Sequence, residues 1–247
     1  MENRYQEKFG KDKTLLVVIH VVDQGQALEN IDIALKNGAD GVFLINHNIK
    51  ASALLEIFTQ ARIDYPTAWI GLNMLDQSAE NAIYKFPALA NGLWVDDGGI
   101  REVDNYQCSL AHSSWVKRFE CRFKAIYFGS VAFKGQRSVK SPKNCAYMAM
   151  PFMDVITTSG PETGTPPTID KIVSMRKAIG DFPLAIASGI DTSNVTKFIP
   201  YVDCFLVATG ISHDFYTLDP QKVRDLADII HGTIGLPVAA GPPFYAR

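Results

Sequence analysis

Short apolar runs rich in Val, Ile and Phe punctuate this chain, separated by polar and mixed segments. They fall at 15–22 (LLVVIHVV), 41–47 (GVFLINH), 67–74 (TAWIGLNM), 92–97 (GLWVDD), 125–133 (AIYFGSVAF), 154–160 (DVITTSG), 184–190 (LAIASGI) and 203–210 (DCFLVATG). Most are continuous rather than alternating, the pattern of strands buried on both faces of a parallel sheet. Between them the apolar spacing changes. Leu28, Ile31 and Leu35 predict a helix over 26–36, and Ile169, Ile172, Val173 and Met175 predict another over 168–179. Thr168, after Pro167, is placed to cap the second helix, with Asp170 near its positive end. Thr192 is placed to cap a short helix after the seventh run. The turns NGADG (37–41) and IGDFP (179–183) supply helix stops and strand entries.

Eight such βα units with right-handed crossovers close naturally into a (β/α)₈ TIM barrel, here expected to span 1–247 as a single domain. A doubly wound open sheet is the alternative. It is disfavoured because only Gly25 follows the first run, with no G-x-G-x-x-G. The tail GLPVAAGPPFYAR (235–247) holds too much Pro and Gly for a helix. It is expected to pack over one barrel end or at the subunit contact of a homo-oligomer.

Composition narrows the class. With 47% hydrophobic and 20% charged residues the chain can bury a substantial core. A net charge of -2 without a dense Lys/Arg stripe argues against nucleic acid as a partner. Cys108, Cys121, Cys145 and Cys204 are scattered, matching neither a zinc site nor a disulfide scaffold. The N-terminus is charged and the first apolar run stops at Asp23, so a cytoplasmic protein with no integral membrane segment is expected.

In a barrel of this kind the site forms at the C-terminal strand ends, often with a phosphate site after strands seven and eight. Ser188, Gly189 and Ile190 leave the seventh run, and Thr209 and Gly210 leave the eighth at a corresponding place. Glycine lets a backbone approach an anion, while N–H and hydroxyl groups donate to it. Ordinary strand-to-helix turns are the plainer reading. The loop 157–168 (TTSGPETGTPPT) has bend points at Gly160 and Gly164 and an acid or base in Glu162. With Ser159 and Gly160 at its root it is suited to covering a ligand. His20, Asn46, Asn73, Asp96, Asp97 and Lys134 stand at or near the ends of the first five runs, where core packing does not call for them. His47 and Asn48 are read first as caps of the next helix. Ser130, Ala132 and Lys134 share one side of a period-two strand, which brings the lysine to a cavity. There it serves as an anion partner or, with a depressed pKa, as a Schiff-base former, and the first role is preferred. His20, His47, Asp96 and Asp97 are chemically able to hold a cation, but no short-range ligand motif joins them, so neither metal nor cofactor is assigned.

The segment from Asp154 to Ser212, with Ser-Gly-x-x-Thr-Gly-x-Pro-Pro, then Ser-Gly-Ile-x-Thr-x-Asn-Val and a closing strand preceded by Tyr-x-Asp, resembles the BtpA/SgcQ family. Looser likeness extends through VIH, NGADGVFLIN, GLNML and the lysine of GSVAFKGQ. The resemblance implies a barrel of the ribulose-phosphate-binding kind, in a family that includes a photosystem I biogenesis factor and relatives associated with sugar metabolism. This chain departs from it on the fifth strand, where an Asp-x-His-x-Lys-His pattern is met by Ser130, Ala132, Lys134 and Gly135, so that only the lysine is kept. The combined expectation is an isomerase- or lyase-like enzyme binding a small phosphorylated metabolite, a sugar phosphate or nucleotide. Lys134 is its electrostatic partner and Asp96, Asp97 or Glu162 its general base. The alternative is a non-catalytic barrel that binds or assembles other proteins.

Overall fold

Parallel neighbours need a crossover between every two strands, so a chain that repeats strand and helix has few ways to hide both faces of its sheet. The computed structural model describes residues 3–10, 12–102 and 109–233. Cys108 and the 235–247 tail lie outside them. All eight apolar runs are strands: β1 (Thr14–His20), β2 (Gly41–Ile45), β3 (Ile70–Asn73), β4 (Gly92–Val95), β5 (Ile126–Ser130), β6 (Val155–Ser159), β7 (Leu184–Ala187) and β8 (Cys204–Val207). They pair in sequence order, all parallel, and β8 returns to β1 through Leu15↔Phe205 and Val17↔Val207 to close the barrel. The architecture is the (β/α)₈ TIM barrel that the alternation predicts.

The helices are α1 (Arg4–Phe9), α2 (Gln24–Lys36), α3 (Ala51–Asp64), α4 (Ala79–Lys85), α5 (Ser109–Glu120), α6 (Pro142–Ala149), α7 (Ile169–Ile179) and α8 (Pro220–His231). Their starts follow capping chemistry: Asp23 accepts from the Gln26 N–H at α2, and Thr168 accepts from the Lys171 N–H at α7. Two local expectations fail. The unit after β7 holds one 3₁₀ turn, Val195–Lys197, in place of a helix, and its cap position is Asn194 rather than Thr192. Asp191 organises that turn by accepting from the N–H and hydroxyl of Ser193 at 2.8 and 2.6 Å. A turn so short adds no helix dipole to a ligand site. The fifth strand also ends early, because Ala132 takes φ +50° and breaks the alternation. Lys134 therefore stands in the β5–α6 loop, and only Ser130 of the three is on the strand.

Alternate residues divide into two cores. Leu15, Val17, Ile19, Val42 and Leu44 face the helices, while Leu16, Val18, Phe43, Ile45, Trp94 and Phe128 fill the barrel axis. The axial rings meet edge to face: Phe43 lies 5.1 Å from Phe128, 5.1 Å from Trp69 and 5.8 Å from Trp94. Gly71 supplies the missing volume, since a Cβ there would enter the Phe43 ring. Helix α1 closes the opposite end of the barrel from the strand C-termini. Its Tyr5 is buried beneath Phe128, with Oη 2.8 Å from Thr14 Oγ1 and 3.0 Å from the Asp203 carbonyl.

Replacing Tyr5 thus tests the plug. Tyr5→Ala is expected to lower unfolding free energy by about 3–5 kcal/mol, and Tyr5→Phe by about 1 kcal/mol, read from urea denaturation midpoints.

Candidate functional site

The alternation that fills the axis also selects the side chains at its open end. Leu16 and Val18 point inward, and two residues on comes His20; Phe43 and Ile45 lead to His47, and Trp94 leads to Asp96. These three residues, with Lys134, line a cavity of about 120 Å³ whose floor includes Val18, Ile45, Trp94 and Leu206. Thr163 and Gly164 border it from the β6–α7 loop. Ser188, Gly189 and Ile190 border it after β7, and Ala208, Thr209 and Gly210 after β8.

His20 is held in one orientation. Its Nδ1 lies 3.0 Å from the Phe215 carbonyl, which can only accept, so Nδ1 carries the proton and Nε2 keeps its lone pair. Phe215 stacks on the imidazole at 4.0 Å, and His47 meets it edge-on at 4.7 Å. Burial lowers the His20 pKa to about 4, against the carbonyl bond that favours the charged form. His47 is lowered as well, by burial first and then by the charge of Lys134. Burial raises Asp96 above the ordinary carboxylate range, opposed by the Asn73 amide, which donates to its Oδ1 at 2.9 Å, and by Lys134. Lys134 is lowered by burial and held up by Asp96. Its Nζ donates to the Thr163 hydroxyl at 2.9 Å, and its N–H donates to Ser159 Oγ at 2.8 Å.

The two turns after β7 and β8 present donors. Ser188 takes φ +77° and Gly189 φ +67°, so two successive residues lie in the left-handed region. The backbone N–H groups of Gly189, Ile190, Thr209 and Gly210 have no acceptor among the described residues. Both glycines are also needed for packing. A Cβ on Gly189 would strike Thr165 and Pro166, and one on Gly210 would strike the Ile190 carbonyl. The β6–α7 loop therefore lies directly against the β7 turn.

Other expected site residues serve the frame around the cavity. Asp97 pairs with Arg101 at 2.6 Å, which holds its carboxyl below the usual range, and it also accepts from the Gly99 N–H. Glu162 is exposed, and its carboxylate accepts from the Thr165 hydroxyl at 3.4 Å. Ser159 Oγ donates to the Gly160 carbonyl at 2.8 Å, and Gly160 packs under the Thr165 carbonyl. Asn46 donates to Asp76 Oδ1 and accepts from the Leu75 N–H, tying the β2 and β3 loops together. Asn73 reaches the cavity through Asp96. His47 and Asn48 do not cap α3; Asp76 Oδ2 accepts from the Ala51 N–H there, and His47 faces the cavity instead. Strand parity was the signal for His47. Thr163, Phe215 and Lys171, which come from loops and a helix, had none. Among the described residues no group of three His, Cys, Asp or Glu is arranged to hold a metal ion. No described helix is long and apolar enough to cross a membrane.

No protein-family model and no curated protein matches this sequence. Solved structures do match. Phosphoribosyl anthranilate isomerase from Thermus thermophilus aligns with a TM-score of 0.63 at 13% identity, covering 90% of this chain and 100% of that one. A tryptophan synthase alpha subunit from Legionella pneumophila aligns with a TM-score of 0.63 at 15% identity, covering 94% and 100%. A phosphoribosyl anthranilate isomerase in complex with reduced 1-(o-carboxyphenylamino)-1-deoxyribulose 5-phosphate aligns with a TM-score of 0.62 at 12% identity, covering 89% and 99%. At these identities the likeness is one of fold.

The buried imidazole makes acid stability measurable. The folded pKa of His20, about 4, lies below its unfolded value of 6.5, so its stabilising effect is full above pH 6.5 and is lost as pH falls through 4. The loss is expected to reach about 3 kcal/mol at pH 4. His20→Gln should flatten this part of the acid limb in urea titrations at pH 7 and pH 4, relative to the unaltered chain.

Proposed function

We propose that this barrel is an enzyme acting on a small phosphorylated carbonyl metabolite, by isomerase- or lyase-like acid–base chemistry. The observation that carries the reading is the group of four backbone N–H donors after β7 and β8 that have no acceptor among the described residues, on the same cavity as Asp96, Lys134, His20 and His47. A phosphate accepts from those N–H groups and from the Ser188 and Thr209 hydroxyls, with a 3₁₀ turn in place of a helix after β7 and so no helix dipole from that unit. The ligand body rests on Trp94 and the apolar floor. A cavity of about 120 Å³ holds a body of roughly benzene size. That favours a short-chain sugar phosphate over a nucleotide.

Asp96 is the general acid–base: burial brings its pKa towards neutrality and Asn73 fixes its carboxyl. Lys134 is the group that engages the substrate carbonyl beside Asp96. His20, neutral with a free Nε2, accepts from a substrate hydroxyl. Asp97 and Glu162 carry no role in this reading, since neither lines the cavity. The ligand bound by one structural neighbour is a sugar phosphate derivative, in keeping with the substrate class. The sequence resemblance to the BtpA/SgcQ family belongs to the same proposal, as does the extent of one barrel domain over 1–247.

Thermal-shift titration with inorganic phosphate and with three- to five-carbon sugar phosphates tests the reading. A ligand at one hundred times its Kd should stabilise the fold by about 2.7 kcal/mol, and the Ser188→Ala/Thr209→Val pair should weaken binding about tenfold through loss of two hydroxyl donors. Absence of any shift across the panel would remove the proposal.

A further inference from the structure

Two lysines at the barrel mouth have their pKa lowered by burial, and geometry separates them. Lys171, on α7, is brought down to about 8. Its Nζ is nonetheless committed, donating to the Ala132 carbonyl at 2.6 Å and the Ser159 carbonyl at 2.7 Å, and it does not line the cavity. Lys134 does line it. Its hydrogen-bond partner is a neutral hydroxyl, Thr163, and among the described residues it forms no ion pair. The ionisable groups close enough to perturb it or be perturbed by it are Asp96 from β4, His47 from β2 and His20 from β1.

Position around the ring adds the second argument. Asp96 follows β4 and Lys134 lies in the loop after the neighbouring β5; both line the cavity and each perturbs the other's charge, while β7 and β8 lie two and three strands beyond β5. A ligand whose phosphate sits in the β7–β8 turns thus places its other end at Asp96 and Lys134. For a body of two or three carbons, the carbonyl lies at that other end or on the carbon next to it.

We propose that Lys134 is a catalytic nucleophile, condensing with the carbonyl of a three-carbon phosphorylated aldehyde or ketone to form an imine beside Asp96. The inference rests on the phosphate-site reading above and names the substrate class of that site. The Lys134 ammonium gives a proton to the Asp96 carboxylate, and the freed lone pair forms a C–N bond as the C=O π pair moves to oxygen. A second nitrogen proton passes to that oxygen, giving the carbinolamine. Asp96 returns its proton to the hydroxyl, which leaves as water while the nitrogen lone pair forms the C=N bond. The product is a protonated imine, an electron sink for proton loss or C–C cleavage at the adjacent carbon. No oxidant or reductant is required.

Borohydride trapping with peptide mapping tests this. The protein is incubated with dihydroxyacetone phosphate or with unphosphorylated dihydroxyacetone, then reduced to fix any imine as a secondary amine. The expected result is one adduct per chain on the Lys134 peptide, unchanged in the exposed-lysine control Lys143→Arg. Lys134→Arg, which keeps the charge, should lose at least about tenfold of the adduct, and Asp96→Asn should slow its formation about tenfold. The trapping rate should rise with pH through a midpoint below 10.5, the ordinary lysine value. Melting curves on each variant establish that it is folded, and the Asp96→Asn rate stands as an independent measurement if Lys134→Arg does not fold. Adduct spread over surface lysines, or equal in Lys134→Arg, overturns the proposal. If phosphate still raises the melting temperature in that case, the phosphate-site reading survives alone. If the two ketones label Lys134 equally well and phosphate gives no shift, the imine stands and the phosphate site falls.

Discussion

Within a closed ring of eight parallel strands, every second side chain points at an axis that must be filled before anything can be left open. Here the filling is aromatic. Phe43, Trp69, Trp94 and Phe128 meet edge to face, and Tyr5 of α1 lies beneath them. Glycines make room: Gly71 admits Phe43 and Gly92 admits Trp69. The series runs on from Trp94 to Phe133 at 6.0 Å, and Trp94 floors the cavity with its indole nitrogen donating to Ser130 Oγ at 2.9 Å, so its polar edge is satisfied. Everything above depends on that level, because it sets how deep a ligand can sink and leaves polar side chains with no competing claim from the core.

Above the rings, the site is a set of loops joined by polar side chains. Lys171 binds the carbonyls of Ala132 and Ser159, and Ser159 in turn accepts from the Lys134 N–H. One half-buried ammonium thereby couples the β5 loop, which carries Lys134, to the root of the β6 loop, which carries Thr163. Asn46 and Asp76 do the same between the β2 and β3 loops. The catalytic candidates are thus held by neighbours that never touch the cavity, and substitutions in those neighbours act through geometry rather than charge.

The barrel was legible because buried parallel strands advertise themselves as apolar runs. The runs overshoot the ladders: Val131 and Ile190 lie past the ends of β5 and β7 yet are buried, so burial and pairing end at different residues. Parity would have sharpened the site further. Counting in twos from Phe43 reaches His47 and passes over Asn46; counting from Trp94 reaches Asp96 and passes over Asp97. The loop partners were not readable, since Phe215 meets His20 across 195 residues and Lys171 meets Ala132 across 39. Thr192 failed as a cap because its segment makes only one 3₁₀ turn, which Asp191 organises. The glycines at 189 and 210 were legible as open turns, but sequence could not show that neighbouring backbone already needs the space.

The bond between His20 and the Phe215 carbonyl joins the first strand of the barrel to the loop after the last. Gln26 and Asn30 of α2 donate to the neighbouring Tyr216 carbonyl, both at 2.7 Å, so the same loop is clasped by the first βα unit. On the ribosome the imidazole emerges early and its partner carbonyl late. Until β8 has docked on β1, nothing in this arrangement dictates which ring nitrogen bears the proton. The fixed tautomer of His20 is in this sense a certificate of a closed barrel: a chain that stops short of that loop carries the residue but not its proton arrangement.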